Sequence, residues 1–241
     1  MRQGKGLLAA AGANAGEDYV TDGLVLYYDA GKTASYPGTG TTWTDLVSNT
    51  TATIQTGASY SSNNGGEIVF NYASDSYVNL ASGTSFTVSG ATFIIWLRLD
   101  DLDQASYTGL FFARGSTVEG LNLYGSTERV GYHWNSAASS YDFNSGLAIP
   151  SQEMCMVAAS VQTNFADLYL CRSSGTTSAR NTTNHPSVTI SNIEIGRDTG
   201  GAGNRYLDGS IPIVQLYNRA LSSTEINQIE QRLPIRSPNH R

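Results

Sequence analysis

Hydrophobic positions along this chain come in short bursts, many of them alternating with polar residues, and turn residues separate one burst from the next. Apolar runs at Leu24–Tyr28, Ile68–Phe70, Tyr77–Leu80, Thr92–Leu99, Leu110–Ala113, Leu121–Tyr124 and Val130–Trp134 read as strands, as do Met154–Val161, Asp167–Cys171, Val188–Ile195 and Leu207–Tyr217. Recurrence every ten to twenty residues with Gly, Ser and Asn between predicts a sandwich or barrel rather than alternating strands and helices. Phe93-Ile94-Ile95-Trp96-Leu97 is apolar on both faces and so predicts a central strand. Val157–Val161 and Leu168–Leu170, joined across Gln162–Asp167, read as a hairpin whose tip exposes Phe165.

One helix stands out near the end. Ser222-Ser223-Thr224-Glu225 has the form of a capping box, with Leu221 and Ile226 placed as a hydrophobic staple. Ile226, Ile229 and Leu233 make one apolar stripe, which Pro234 stops. No shift in composition divides the chain. The expected organisation is an extended Gly/Ala-rich arm over 1–19, one sandwich over 20–234 and a tail over 235–241. The arm imitates a secretion signal, with Leu7-Leu8-Ala9-Ala10-Ala11 before an Ala-x-Ala site, but its apolar stretch is short and broken by glycine, so it is expected to stay uncleaved.

Composition agrees with many strands and tight turns: 25 Gly, 14 Tyr and only 14% charged residues. The net charge of -6, with basic residues scattered, argues against a nucleic-acid partner. No apolar run is long enough to span a membrane as a helix. Cys155 and Cys171 fall on consecutive strands, which leaves a bridge open, although two small buried hydrophobes are the plainer reading.

The order of several segments carries a resemblance. Gly23-Leu24-Val25-Leu26-Tyr27-Tyr28-Asp29-Ala30-Gly31 is followed by the run from Ser35-Tyr36-Pro37-Gly38 to Trp43-Thr44-Asp45-Leu46. Asp75-Ser76-Tyr77-Val78 and Phe93-Ile94-Ile95-Trp96 stand in the middle, and Leu207-Asp208-Gly209-Ser210-Ile211 and Tyr217-Asn218-Arg219-Ala220-Leu221-Ser222 close the chain. In this order they resemble the concanavalin A-like lectin/glucanase superfamily, in its laminin-G-like branch. The resemblance implies an all-β fold, a two-sheet antiparallel jelly-roll sandwich with a short C-terminal helix. The Ser35–Trp43 run looks most like sandwich domains of tailed-phage virion proteins. Two departures, Phe70-Asn71-Tyr72-Ala73 and Cys171-Arg172, stand where the family often has Phe-Asp-Gly and Asp-Gly turns, which puts a family calcium site in doubt.

The sequence carries none of the catalytic patterns that this scaffold or a serine hydrolase would use. The glucanases' Glu-x-Asp-x-x-Glu strand is absent; Glu194 and Asp198 lack a third member and read as solvated or turn residues. There is no Gly-x-Ser-x-Gly elbow, and His133, His185 and His240 lack zinc spacing and read as satisfied or exposed imidazoles. Gly31-Lys32-Thr33 imitates a phosphate loop, but Leu26 stands where the first glycine belongs. No cofactor is expected. For calcium, Asp45, Asp75, Asp198 and Asp208 offer oxygens, with turn formation the plainer reading.

The expectation is therefore a non-enzymatic virion protein, a capsid decoration or cement subunit or another head or tail component on the particle surface. Its partners would be the major capsid protein or other virion proteins, in a homo-oligomer, contacted through Arg2, Lys5, Leu7, Leu8 and Phe165. The alternative is a carbohydrate-binding module for host or surface glycans, with Tyr132, Trp134 and Tyr141 as the sugar-facing aromatics and Phe143 beside them.

Overall fold

A computed structural model describes residues 20–55, 57–200 and 205–232. They form an all-β jelly-roll sandwich of two large antiparallel sheets. The eight-stranded sheet runs, from one edge, Gly175–Asn181, Phe165–Arg172, Cys155–Gln162, Ala91–Leu99, Gly209–Tyr217, Glu67–Phe70 and Ser59–Ser61. Gly209–Tyr217 is long enough to pair twice on its far side: its first residues meet Glu67–Phe70, and its later ones meet the eighth strand, Leu24–Asp29. The seven-stranded sheet runs Val130–His133, Val118–Leu123, Gly109–Arg114, Ile193–Ile195, Val78–Leu80, Thr51–Ile54 and Thr42–Thr44.

The main core lies between the sheets and takes every second residue of each strand, among them Phe93, Ile95, Leu97, Phe111, Leu121, Leu168, Val214 and Leu216. A second core covers the other face of the eight-stranded sheet. Ile94, Trp96, Met156, Tyr169 and Tyr217 pack there beneath the helix Ser223–Arg232, whose Ile226 and Ile229 are fully buried. The strand Ala91–Leu99 is thus apolar on both faces because both faces are covered. The capping box forms as expected: Ser222 Oγ accepts from the Glu225 N–H, and Glu225 accepts from the Ser222 N–H.

Several expectations change. Asn192 takes a left-handed conformation at φ 52° and breaks Val188–Ile195 in two, with Val188–Ser191 pairing Ser85–Val88 in a small separate sheet. The strands Thr42–Thr44, Thr51–Ile54, Ser59–Ser61 and Gly175–Asn181 were not legible, being rich in Thr and Ser and lying at or next to sheet edges. Cys155 belongs to the main core and Cys171 to the outer one, so they lie on opposite faces of one sheet and stay free. Phe165 is not at the hairpin tip. It pairs with Gln162 as the first residue of its strand, and the Arg180 guanidinium roofs its ring at 3.8 Å.

Candidate functional site

Phe111, Ala113, Leu121, Leu123 and Ile193 point into the core, so Phe112, Arg114, Asn122 and Glu194 point outward from the seven-stranded sheet. The register sets one row straight across the outer face: Thr42, Thr53, Asn79, Glu194, Phe112, Gly120 and His133. Hydroxyls and an amide occupy one end, a carboxylate the middle, and aromatic rings the other end. Gly120 makes the aromatic end possible. Its φ is +136°, and a Cβ there would lie 2.1 Å from the Phe111 carbonyl oxygen. With no side chain between them, the Phe112 and His133 rings meet edge to face at 4.9 Å.

His133 is 7% exposed, stacked on Tyr141 at 5.3 Å between centroids. The Asn122 amide nitrogen is spent on the Leu123 carbonyl, which turns its oxygen toward His133 Nδ1 at 3.2 Å. Nδ1 therefore carries the proton and donates it. Burial lowers the imidazole pKa from the ordinary 6.5 to about 4; Asp198 opposes this, and Arg114 and Arg205 add to it.

Beside it, Asp198 is buried within a cage of donors. Arg114 reaches it through two nitrogens at 2.5 and 3.1 Å, Arg205 through one at 2.6 Å, and the Gly200 N–H at 2.8 Å. Glu194 is likewise gripped by Arg197 through two nitrogens. The Arg197 guanidinium lies 3.3 Å from the centroid of Tyr77 and 5.7 Å from that of Tyr206, and Arg205 lies 5.4 Å from that of Tyr107. These planar cations are held flat between rings and carboxylates.

Tyr107 stands at the rim of this cluster in a left-handed conformation, φ 59°, with its N–H bonded to the Gly125 carbonyl. A bulky side chain seldom adopts that region. Its phenol pKa is raised by burial, by Asp142 and by its neighbours Tyr124 and Tyr141, with Arg205 opposing. Three half-buried tyrosines and one arginine thus crown the aromatic end of the row.

A family model described as the concanavalin A-like lectin/glucanases superfamily matches residues 71–227. The chain belongs to that superfamily. No curated protein sequence matches it. Among solved structures, it is similar to domain 4 of AbnA, a GH43 extracellular arabinanase from Geobacillus stearothermophilus, in complex with arabinotriose. The TM-score there is 0.60 at 18% identity, over 86% of this chain and 97% of that one. The Trypanosoma rangeli sialidase in complex with the inhibitor DANA gives 0.60 at 17% identity, over 89% of this chain but 33% of that one. The chain thus spans about a third of the sialidase's length. The botulinum neurotoxin serotype C1 binding domain gives 0.52 at 9% identity, over 87% and 52% of the two chains. At these identities the likeness is one of fold.

Within this lectin-like scaffold the residues expected to face sugar part company. Tyr141 lies on the outer face. Tyr132 and Trp134 turn inward, each 1% exposed, because they alternate with His133 along the strand and its continuation. The Tyr132 phenol accepts from Asn181 and donates to His185 Nε2, and His185 Nδ1–H donates to the Gln162 carbonyl; Trp134 donates to the Pro186 carbonyl. Both groups are core residues with satisfied polar ends. Phe143 packs half-buried against the main core. Arg2, Lys5, Leu7 and Leu8 lie outside the described residues. Glu194 and Asp198 are not solvated turn residues, since each is locked to arginine on the outer face.

The aspartates considered for calcium scatter. Asp45 accepts from the Tyr27 and Ser48 N–H groups, Asp75 is exposed, and Asp208 sits near Asp100 and Asp101. Among the described residues no group of three or more His, Cys, Asp and Glu is placed to hold a metal ion. Tyr107, Arg114, Asn122, Arg197 and Arg205 escaped sequence reasoning. The one usable signal was Arg197-Asp198 and Arg205-Tyr206 flanking a glycine-rich segment, and these two pairs form a two-residue ladder.

Proposed function

We propose that this chain is a non-catalytic carbohydrate-binding module that holds a glycan on the outer face of the seven-stranded sheet, at Tyr107, Tyr124, Tyr141 and Arg205. The placement of the Tyr107 ring beside Arg205 carries the reading. A left-handed backbone at a non-glycine residue costs about 1 kcal/mol or more and persists where something else requires it. Here local bonds hold it, the Thr108 N–H on the Ala105 carbonyl and the Tyr107 N–H on the Gly125 carbonyl, and they present the Tyr107 ring at the rim of the outer face, outside the main core. Tyrosine rings stack on the apolar faces of sugar rings, and arginines pinned by carboxylates present fixed donors to hydroxyls. The arabinanase domain, similar over nearly its whole length and complexed with arabinotriose, supports a binding role for a sandwich of this shape.

Glycoside hydrolysis needs one carboxylic acid poised to give up a proton and one carboxylate free to attack or to activate water. Glu194 and Asp198 are each tied to guanidinium groups, which favours binding over hydrolysis at those two carboxylates. The virion-surface reading keeps its motivation in the arm and in the Ser35–Trp43 run, and no observation among the described residues adds to it.

Calorimetry with arabinotriose, xylotriose and cellotriose tests the proposal on Tyr107→Asn and Tyr141→Ala. Asparagine tolerates the left-handed backbone, so Tyr107→Asn removes the ring without new strain. Each variant is expected to weaken binding by about tenfold, the worth of one aromatic contact. Full affinity in both, or no binding to the intact chain at millimolar sugar, sinks the assignment.

A further inference from the structure

At the opposite end of the same row the two sheets part. The edge strand Ser59–Ser61 of one sheet, the end of the strand Thr51–Ile54 of the other and the loop residues Tyr36, Gly40 and Thr41 flank an open cleft of about 370 Å³. That is the size of a small ligand pocket. Tyr36 and Tyr60 line it, their ring centroids 5.2 Å apart and tilted by 42°. Thr41, Thr53, Gln55 and Ser59 line it as well, and none of the lining residues is charged.

The cleft is built rather than incidental. The Tyr36 phenol donates to the Gly40 carbonyl at 2.7 Å, and the Ile54 N–H donates to the Thr41 carbonyl at 2.7 Å. Gly38 and Gly40, both at positive φ, carry the loop past the Tyr60 ring. By contrast, the hydroxyls of Thr41, Thr53, Ser59 and Tyr60 have no hydrogen-bond partner among the described residues. Rings fixed in place, with unused hydroxyls around them and no charge, suit a ligand that is apolar on its faces, hydroxylated on its edges and neutral.

We infer that this cleft is a second binding site, for one or two units of a neutral sugar, separate from the Tyr107 face. It rests on the reading of the chain as a sugar binder but on none of the same residues. It also gives a role to the Ser35–Trp43 run, which the first site leaves unused.

Amide chemical shifts of the ¹⁵N-labelled full chain, titrated with arabinotriose, xylotriose and cellotriose, separate the two sites. Saturable shifts at Tyr36, Gly40, Thr41, Gln55, Ala58, Ser59 and Tyr60 that survive Tyr107→Asn and vanish in Tyr60→Ala are the expected result. Because Tyr60→Ala can loosen the edge strand, the exposed pair Thr41→Val and Ser59→Ala gives a milder check, with an expected loss of about tenfold for two hydrogen bonds. Shifts confined to the Tyr107 face overturn the cleft and leave the first proposal standing. Shifts confined to the cleft overturn the first proposal and uphold this one. No shift anywhere at millimolar sugar overturns both.

Discussion

His133 makes the fold sensitive to mild acid. Its ring is 7% exposed, wedged between Phe112 and Tyr141, and faced by Arg114, Arg205 and Asp198, and its pKa falls from 6.5 to about 4. A base with a lower pKa in the folded state takes up its proton first in the unfolded chain. The stability it contributes is therefore complete above pH 6.5 and is lost as pH falls from there toward 4. At about 1.36 kcal/mol per unit, the whole shift corresponds to about 3 kcal/mol, of which about 2 kcal/mol is lost between pH 7 and pH 5. For a domain of this size that is a fall of about 4–8 °C in melting temperature. Urea unfolding of the wild type and of His133→Gln at pH 7, 6 and 5 isolates the effect, since other titrating groups, including His185, are common to both chains. The variant starts less stable at pH 7, having lost its ring contacts, but the gap should narrow by about 2 kcal/mol by pH 5. Parallel curves for the two proteins would refute a buried neutral imidazole at this position.

Two further outcomes follow from the cores. Gln215 is fully buried between Tyr27 and Ile94, and neither amide atom has a hydrogen-bond partner among the described residues. Gln215→Met should raise stability by about 1 kcal/mol in denaturant unfolding, and a loss of stability would show that the amide is satisfied. Burial raises the thiol pKa of Cys155 to about 12 and of Cys171 to about 11. Neither should react with iodoacetamide at pH 8 in the folded protein, and both should react in urea, as intact mass spectrometry will report; labelling of the native chain would contradict the packing.

How much of this was legible beforehand depends on the range of the forces involved. Of the aromatics near loops, Tyr141 faces outward, whereas Tyr132 and Trp134 face the core. Period two says that neighbours in a strand face opposite ways, but not which set faces the core. That is decided by the cross-strand register, here Gly120 opposite His133. The two cysteines show the same limit. Each parity was visible, while their placement on opposite faces of one sheet follows from the pairing of Met156 with Cys171.

The sequence by itself determined the sandwich, its doubly covered central strand and its capped closing helix. These rest on local alternation, turn chemistry and a box of four adjacent residues, all written within a few positions of one another. Only the tertiary structure decided the two candidate sites. Arg114 and Asp198 are 84 residues apart, and the Tyr36–Tyr60 cleft forms where the edges of two sheets diverge. No local pattern encodes such meetings, because a side chain's partners across a sheet are set by strand order. The same holds for Glu194 and Asp198, whose arginine partners are set by the fold around the outer face.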